Sequence, residues 1–174
     1  MTGDRNAIIG FLAALLGRDP RASDVLWVTQ EPALPVHRLT RFGLDHRRLT
    51  IVSARRADDR SWSIEEGLGE LGYETVVAEI DNTDLAETRR LQLAAEKSGG
   101  IGFLLCRGHQ PSAALTRWRI EPARSDGYRS CWHLSLERCR NTATNLSWSV
   151  EWDDATLSFR LVSDRLSEQE LAVA

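Results

Sequence analysis

Residues 75–106 read Thr75-Val76-Val77-Ala78-Glu79-Ile80, then Asp81-Asn82-Thr83, a run from Asp84 to Ser98, Gly99-Gly100, and Ile101-Gly102-Phe103-Leu104-Leu105-Cys106. The first and last pieces are short apolar runs, the pattern of strands buried on both faces. The run between them has helical spacing, with Leu85, Leu91 and Ala95 expected inward and Thr83 or Asp84 available as a cap. Gly99-Gly100 breaks the helix. Strand, helix and strand joined this closely make a parallel crossover unit. The fold class that follows is α/β, a parallel sheet flanked by helices.

The same alternation extends upstream. Asn6 to Gly17 reads as a nearly all-apolar helix, buried on several sides. Val25 to Val28 and Leu49 to Val52 read as strands, with a helix from Pro35 to Gly43 between them. Asp59 to Leu71 reads as an acidic amphipathic helix with Trp62, Ile64, Leu68 and Leu71 inward. Beyond Pro111 the period changes. Leu115–Ile120, Cys131–Arg138, Ser147–Trp152 and Leu157–Val162 read as strands that extend the sheet antiparallel. Trp148 and Trp152 share a strand face, and core suits that face better than interface. One domain over 1–162 and a polar tail over 163–174 are expected.

Composition narrows the function classes. The chain has 174 residues, 42% hydrophobic and 27% charged, a globular composition and not a disordered one. A net charge of −3 excludes a generally basic nucleic-acid binder. Charge is nevertheless segregated: residues 37–60 hold seven arginines against three acids, and residues 61–88 hold eight acids and no base. Such blocks are solvated faces or docking surfaces. No apolar run reaches the ~18 residues of a membrane span, and no signal-peptide pattern opens the chain. Cytoplasmic location is the expectation. Cys106, Cys131 and Cys139 are odd in number without a C-x-x-C pair, which reads as reduced thiols. Zinc held by Cys131 and His133 with Cys139 or His109 lacks paired ligand spacing.

Most catalytic motifs are absent. There is no G-x-x-x-x-G-K-[ST], no G-x-G-x-x-G at a strand-to-helix turn, no G-x-S-x-G and no H-E-x-x-H. Two carboxylates stand out. Glu31 follows the strand ending at Val28, and Glu79 ends the strand at 75–80. Ligands sit beyond the carboxyl ends of parallel strands, so the two could face one crevice as a base and a metal-linked acid, or be ordinary solvated acids. In Thr116-Arg117-Trp118-Arg119, strand alternation puts both arginines on one face. They could contact phosphates while Trp118 stacks on bases, or form an exposed basic face with Trp118 in the core.

The ordered set Val25-Leu26-Trp27-Val28, Gly43-Leu44-Asp45, Trp62-xx-Glu65-Glu66, Val76-Val77-xx-Glu79, Arg89 to Glu96 and Gly102-Phe103-Leu104-Leu105 resembles the RecA-type recombinase core. With Ala113 to Arg119 and Trp148-Ser149-Val150-Glu151-Trp152, it resembles more closely the ImuA family, RecA-like accessory proteins of bacterial mutagenic repair. The resemblance runs from about Ala7 to Val162. It implies a RecA-like, P-loop NTPase-type sheet in a cytosolic protein of the SOS DNA-damage response. It further implies an adaptor for error-prone translesion synthesis that works with an ImuB-type relative of the Y-family polymerases and with RecA.

The departures from that pattern shape the expectations. Only Met1 to Arg5 precede the first helix, so the strand and phosphate-binding loop of RecA proteins are expected to be missing. Glu31 and Glu79 are then vestiges of a nucleotide site, ATP hydrolysis is negligible, and no cofactor or metal is expected. The loops that grip single-stranded DNA are shortened. Weak DNA binding or partner contact would fall to Arg89, Arg90, Arg107, Arg117, Trp118 and Arg119. If the first strand is missing, either Ile101–Cys106 pairs directly with Leu115–Ile120, or another chain lends a strand; self-association stays open. The alternatives are a cell-division inhibitor of the SulA type and a nucleotide hydrolase completed by a partner chain.

Overall fold

The computed structural model describes residues 1–165 apart from 22, 31–33, 109, 126–127, 141–143 and 145. The elements run β1 (Thr2–Gly3), α1 (Arg5–Gly17), β2 (Val25–Thr29), α2 (Val36–Thr40), β3 (Leu49–Ser53) and α3 (Ala57–Leu68). They continue through β4 (Thr75–Ile80), α4 (Leu85–Ser98), β5 (Ile101–Cys106), β6 (Thr116–Pro122), β7 (Cys131–Cys139), β8 (Leu146–Asp153) and β9 (Ser158–Arg165). A 3-10 turn over His46–Arg48 leads into β3. The last strand runs three residues past the expected end of the domain. The rest of the expected tail, from 166 onward, lies outside the described residues.

Strands β3-β2-β4-β5 form a parallel sheet, and β1-β6-β7-β8-β9 form a second, antiparallel except for the parallel β1–β6 pair. Met1 joins the two. Its carbonyl accepts from Cys106 N at 2.9 Å and its nitrogen donates to Leu104 O, while Thr2 and Gly3 pair with Arg119 and Ile120. The expectation of a missing first strand is therefore corrected. A three-residue stub fills the slot between β5 and β6, so these strands do not pair directly and no lent strand is needed there.

Every residue of β2 and of β4 is buried. Alternation splits each strand between two cores. Val25, Trp27 and Val77 meet α1 and α2, with Leu12, Leu39, Ile120, Trp132 and Trp152. Leu26, Val28, Val76 and Ala78 meet Ile64, Leu68 and Leu91 of α3 and α4. Edge-on aromatic contacts of Phe11, Phe42, Trp132, Trp152 and Phe159 tie α1 and the segment after α2 to the antiparallel strands. Trp152 is fully buried on the core side, as its face suggested.

Three residues expected inward are exposed: Trp62 (64%), Leu71 (62%) and Leu85 (56%). Trp62 precedes the inward Ile64 by two residues, which on a helix is about 200° of rotation. Leu71 lies beyond the end of α3. In α4 the inward residues are Thr88, Leu91 and Gln92; Leu85 shares their stripe but stands at the first position of the helix and is exposed there. The expected Asp84 cap is present, accepting from Glu87 N at 2.7 Å, and Gly99 closes the helix in the left-handed region. No helix among the described residues is long and apolar enough to cross a membrane.

Candidate functional site

Glu79 lies on the Val77 side of β4, so strand alternation aims it at the start of α1. There the Arg5 guanidinium meets it as a fork. Nε donates to Oε2 and Nη2 to Oε1, each at 2.9 Å. Thr29 Oγ1 at the end of β2 adds a third donor at 3.3 Å. The Glu79 side chain is 12% exposed and that of Arg5 33%. This is a planar, two-point carboxylate pair in a largely desolvated position.

The helix end beside it is also occupied. Asp4 caps α1, accepting from Ala7 N at 2.8 Å. An uncapped helix N-terminus would attract phosphate; here a carboxylate of the chain takes that place. Asp4 alone separates β1 from α1. Gly3 has φ +121°, and a Cβ there would stand 2.1 Å from Ile120 O, so the backbone is pressed against β6 at the point where the chain turns into α1.

What remains is a cavity of about 290 Å³ between Arg5, Glu79, Gln30, Asp81 and Arg107. Its polar groups are paired. Gln30 donates to Asp81 at 2.6 Å, and Arg107 pairs with Asp81 at 3.2 Å. Burial pushes the Cys106 thiol upward, which keeps it protonated and a poor nucleophile at neutral pH. Glu31, the other expected carboxylate, lies outside the described residues. Among the described residues no cluster of three or more His, Cys, Asp or Glu side chains is placed to hold a metal.

The basic candidates do not form one patch. Arg117 donates to Gln110 O, and its cross-strand neighbour Arg138 donates to Ser112 O at 2.6 Å. Ala113 N donates to Thr88 Oγ1 at 3.0 Å, and Gln110 accepts from Thr83 N at 2.8 Å. Arg117 therefore fastens the β5–β6 connection onto the start of α4. Arg119 pairs with Glu137 at 2.7 Å on the open face of the antiparallel sheet. Trp118 points to the opposite side and packs on Trp148, ring centroids 5.7 Å apart. Arg89 and Arg90 lie on the exposed side of α4, bonded to Gln92 (2.7 Å) and Glu65 (2.8 Å). Arg107 is open, its side chain 79% exposed.

Asp4 and Arg5 were not singled out in the sequence. A signal was present: a cation in the first turn of a helix opposes the helix dipole, so it calls for a nearby anion.

No protein-family model matches the chain. Protein ImuA from two strains of Caulobacter vibrioides is 34% identical over 178 residues, spanning 90% of this chain and 72% of the relative. Among solved structures, the RadB recombinase is similar at a TM-score of 0.57 and 15% identity, covering 86% of this chain and 82% of that one. SulA from Pseudomonas aeruginosa is similar at a TM-score of 0.54 and 18% identity, covering 62% of this chain and 95% of that one. The structural likenesses show the fold alone, which is RecA-like.

Proposed function

Because the chain belongs to the ImuA family, we propose that it is a non-enzymatic RecA-like adaptor of the damage-induced mutagenesis system. In this reading it supports error-prone translesion synthesis through protein contacts. Its partners are an ImuB-type polymerase relative and RecA. Single-stranded DNA is at most a weak ligand, sensitive to salt because the contacts available are phosphate contacts.

The observation that supports it is the Arg5–Glu79 fork beside the Asp4 cap. Phosphoryl transfer in such sheets needs free backbone N–H groups for the phosphates, a cation for their charge, and a strand-end acid for the metal ion. At the end of α1 the N–H of Ala7 is taken by Asp4, and the strand-end acid is taken by Arg5. What the fold retains is a rigid platform for surface contacts.

The test is capture of ImuB and RecA from the same cell by the purified chain, with Arg90→Glu as the surface variant. Arg117→Glu is a poor control, because it would also release the β5–β6 connection. Capture of ImuB that Arg90→Glu weakens is the expected result. Capture of the division GTPase in place of ImuB would assign the SulA-type reading. ATP turnover above a mock-purified control that vanishes in Glu31→Gln or Glu79→Gln would overturn the non-enzymatic reading. Turnover appearing only when a partner is added would assign a site completed in trans.

A further inference from the structure

A second cavity, of about 410 Å³, opens at the other side of the β4 carboxyl end, between the first halves of α3 and α4. The sequence reading placed Trp62 in the core; instead its indole stands 64% exposed on the wall of this cleft. The opposite wall carries Asp84 and Glu87, the rim carries Asp58, and Ile80 forms part of the floor. Glu87 accepts from Thr83 Oγ1 at 2.8 Å and from Ser61 Oγ, both neutral donors. Asp84 caps α4, accepting from Glu87 N at 2.7 Å. The two cations of the cleft are committed. Arg60 is buried on the carbonyls of Ala54 and Arg55, at 3.1 and 2.7 Å, and Arg90 pairs with Glu65 at 2.8 Å. The lining thus holds the carboxylates Asp58, Glu65, Asp84 and Glu87 against two arginines, an excess of two negative charges.

We propose that this cleft receives an arginine side chain of an extended segment of a partner protein, its guanidinium stacked on Trp62 and bonded to Glu87. Charge complementarity selects a basic segment. The planar fork of arginine matches a carboxylate and an indole face together, which the point charge of lysine does not. An exposed tryptophan beside an open hollow is also the kind of group that anchors interfaces. The position fits, since ligands of parallel sheets sit beyond the carboxyl ends of their strands. The inference goes beyond the adaptor reading and holds whichever protein supplies the arginine.

The probe is a blocked, fluorescently labelled arginine–leucine nonapeptide, with lysine and glutamate counterparts, titrated by anisotropy at low ionic strength. The arginine peptide is expected to bind, the lysine peptide several-fold more weakly, and the glutamate peptide not at all. Trp62→Ala and Glu87→Gln are each expected to weaken the arginine peptide about tenfold. Asp58→Asn, an exposed change that leaves the helix contacts in place, is expected to weaken it about threefold. Unchanged binding to Trp62→Ala and Asp58→Asn, or equal binding of the glutamate peptide, overturns the proposal, as does no binding of any peptide. Self-association of the chain that Trp62→Ala abolishes would assign the cleft to a second copy and overturn it as well. None of these readouts involves ImuB, RecA or ATP, so failure here is distinguishable from failure of the adaptor reading.

Discussion

Replacing Arg5 by alanine removes the cation from a carboxylate that is only 12% exposed. Two charge-assisted bonds of 2.9 Å are lost, and the Thr29 hydroxyl still donates to Glu79 at 3.3 Å. Breaking a buried ion pair by deleting one partner costs about 3–5 kcal/mol, most of it the stranded charge. Arg5 is itself one-third exposed, so water reaches the pair and screens part of that. A loss of about 2–3 kcal/mol is the expected outcome. For a chain of this size each kcal/mol moves Tm by about 2–4 °C, so Arg5→Ala should melt roughly 5–10 °C lower. Replacing both charges, Arg5→Met with Glu79→Gln, should recover most of the loss, because no charge is then left buried. The assay is urea unfolding followed by circular dichroism, comparing midpoints at constant slope through the full double-mutant cycle. A loss below about 0.5 kcal/mol for Arg5→Ala, or additive single changes, would refute the view that this pair closes the site.

Further outcomes follow from other contacts. Gly3→Ala should lower stability by about 2–3 kcal/mol or more, because its Cβ meets Ile120 O at 2.1 Å in a left-handed backbone; a melting point unchanged from the natural chain would contradict this. The Asp45 carboxyl, bonded by the Arg47 guanidinium and its backbone N–H, is pulled down to about 2 from an ordinary 3.8. A lowered carboxylate stabilises the fold above its unfolded value and loses that contribution as pH falls through the folded one, here between about 4 and 2. Asp45→Asn should therefore flatten this part of the acid-unfolding curve, and Arg47→Ala should return the carboxyl titration seen by NMR towards 3.8. Arg117→Ala should speed amide exchange in residues 110–114 by about tenfold while leaving β2 and β4 protected, whereas Arg89→Ala should not; equal exchange in both variants would remove Arg117's fastening role.

The local sequence decided which elements form. The apolar runs at 25–28, 75–80 and 101–106 have no polar face to offer water, so they had to become strands buried on both sides, with helices covering them. The alternation after Pro111 likewise specified antiparallel strands with one wet face, and it put Trp152 inward. Asp84 and Gly99 mark the ends of α4 because capping depends on neighbours within one turn. Helix phase was less legible. Trp62 is apolar yet exposed, since which side of a helix meets the sheet is settled by the whole packed face and not by the hydropathy of one residue.

The site belongs to the tertiary level. Glu79 was legible as a strand-end acid, but Arg5 is 74 residues away in sequence, and only the placement of α1 against β4 brings the two within 2.9 Å. Arg117 was legible as one of two arginines on a strand face, but its hold on Gln110 depends on where the β5–β6 connection returns. The stub Met1–Gly3 is too short to show any period at all. It becomes a strand because β5 and β6 present unpaired backbone groups on both sides of it, and buried N–H and C=O groups must find partners. Short-range pattern thus determines the elements of this chain, while pairings between distant residues, which no local pattern encodes, decide that the strand-end acid Glu79 is held by Arg5.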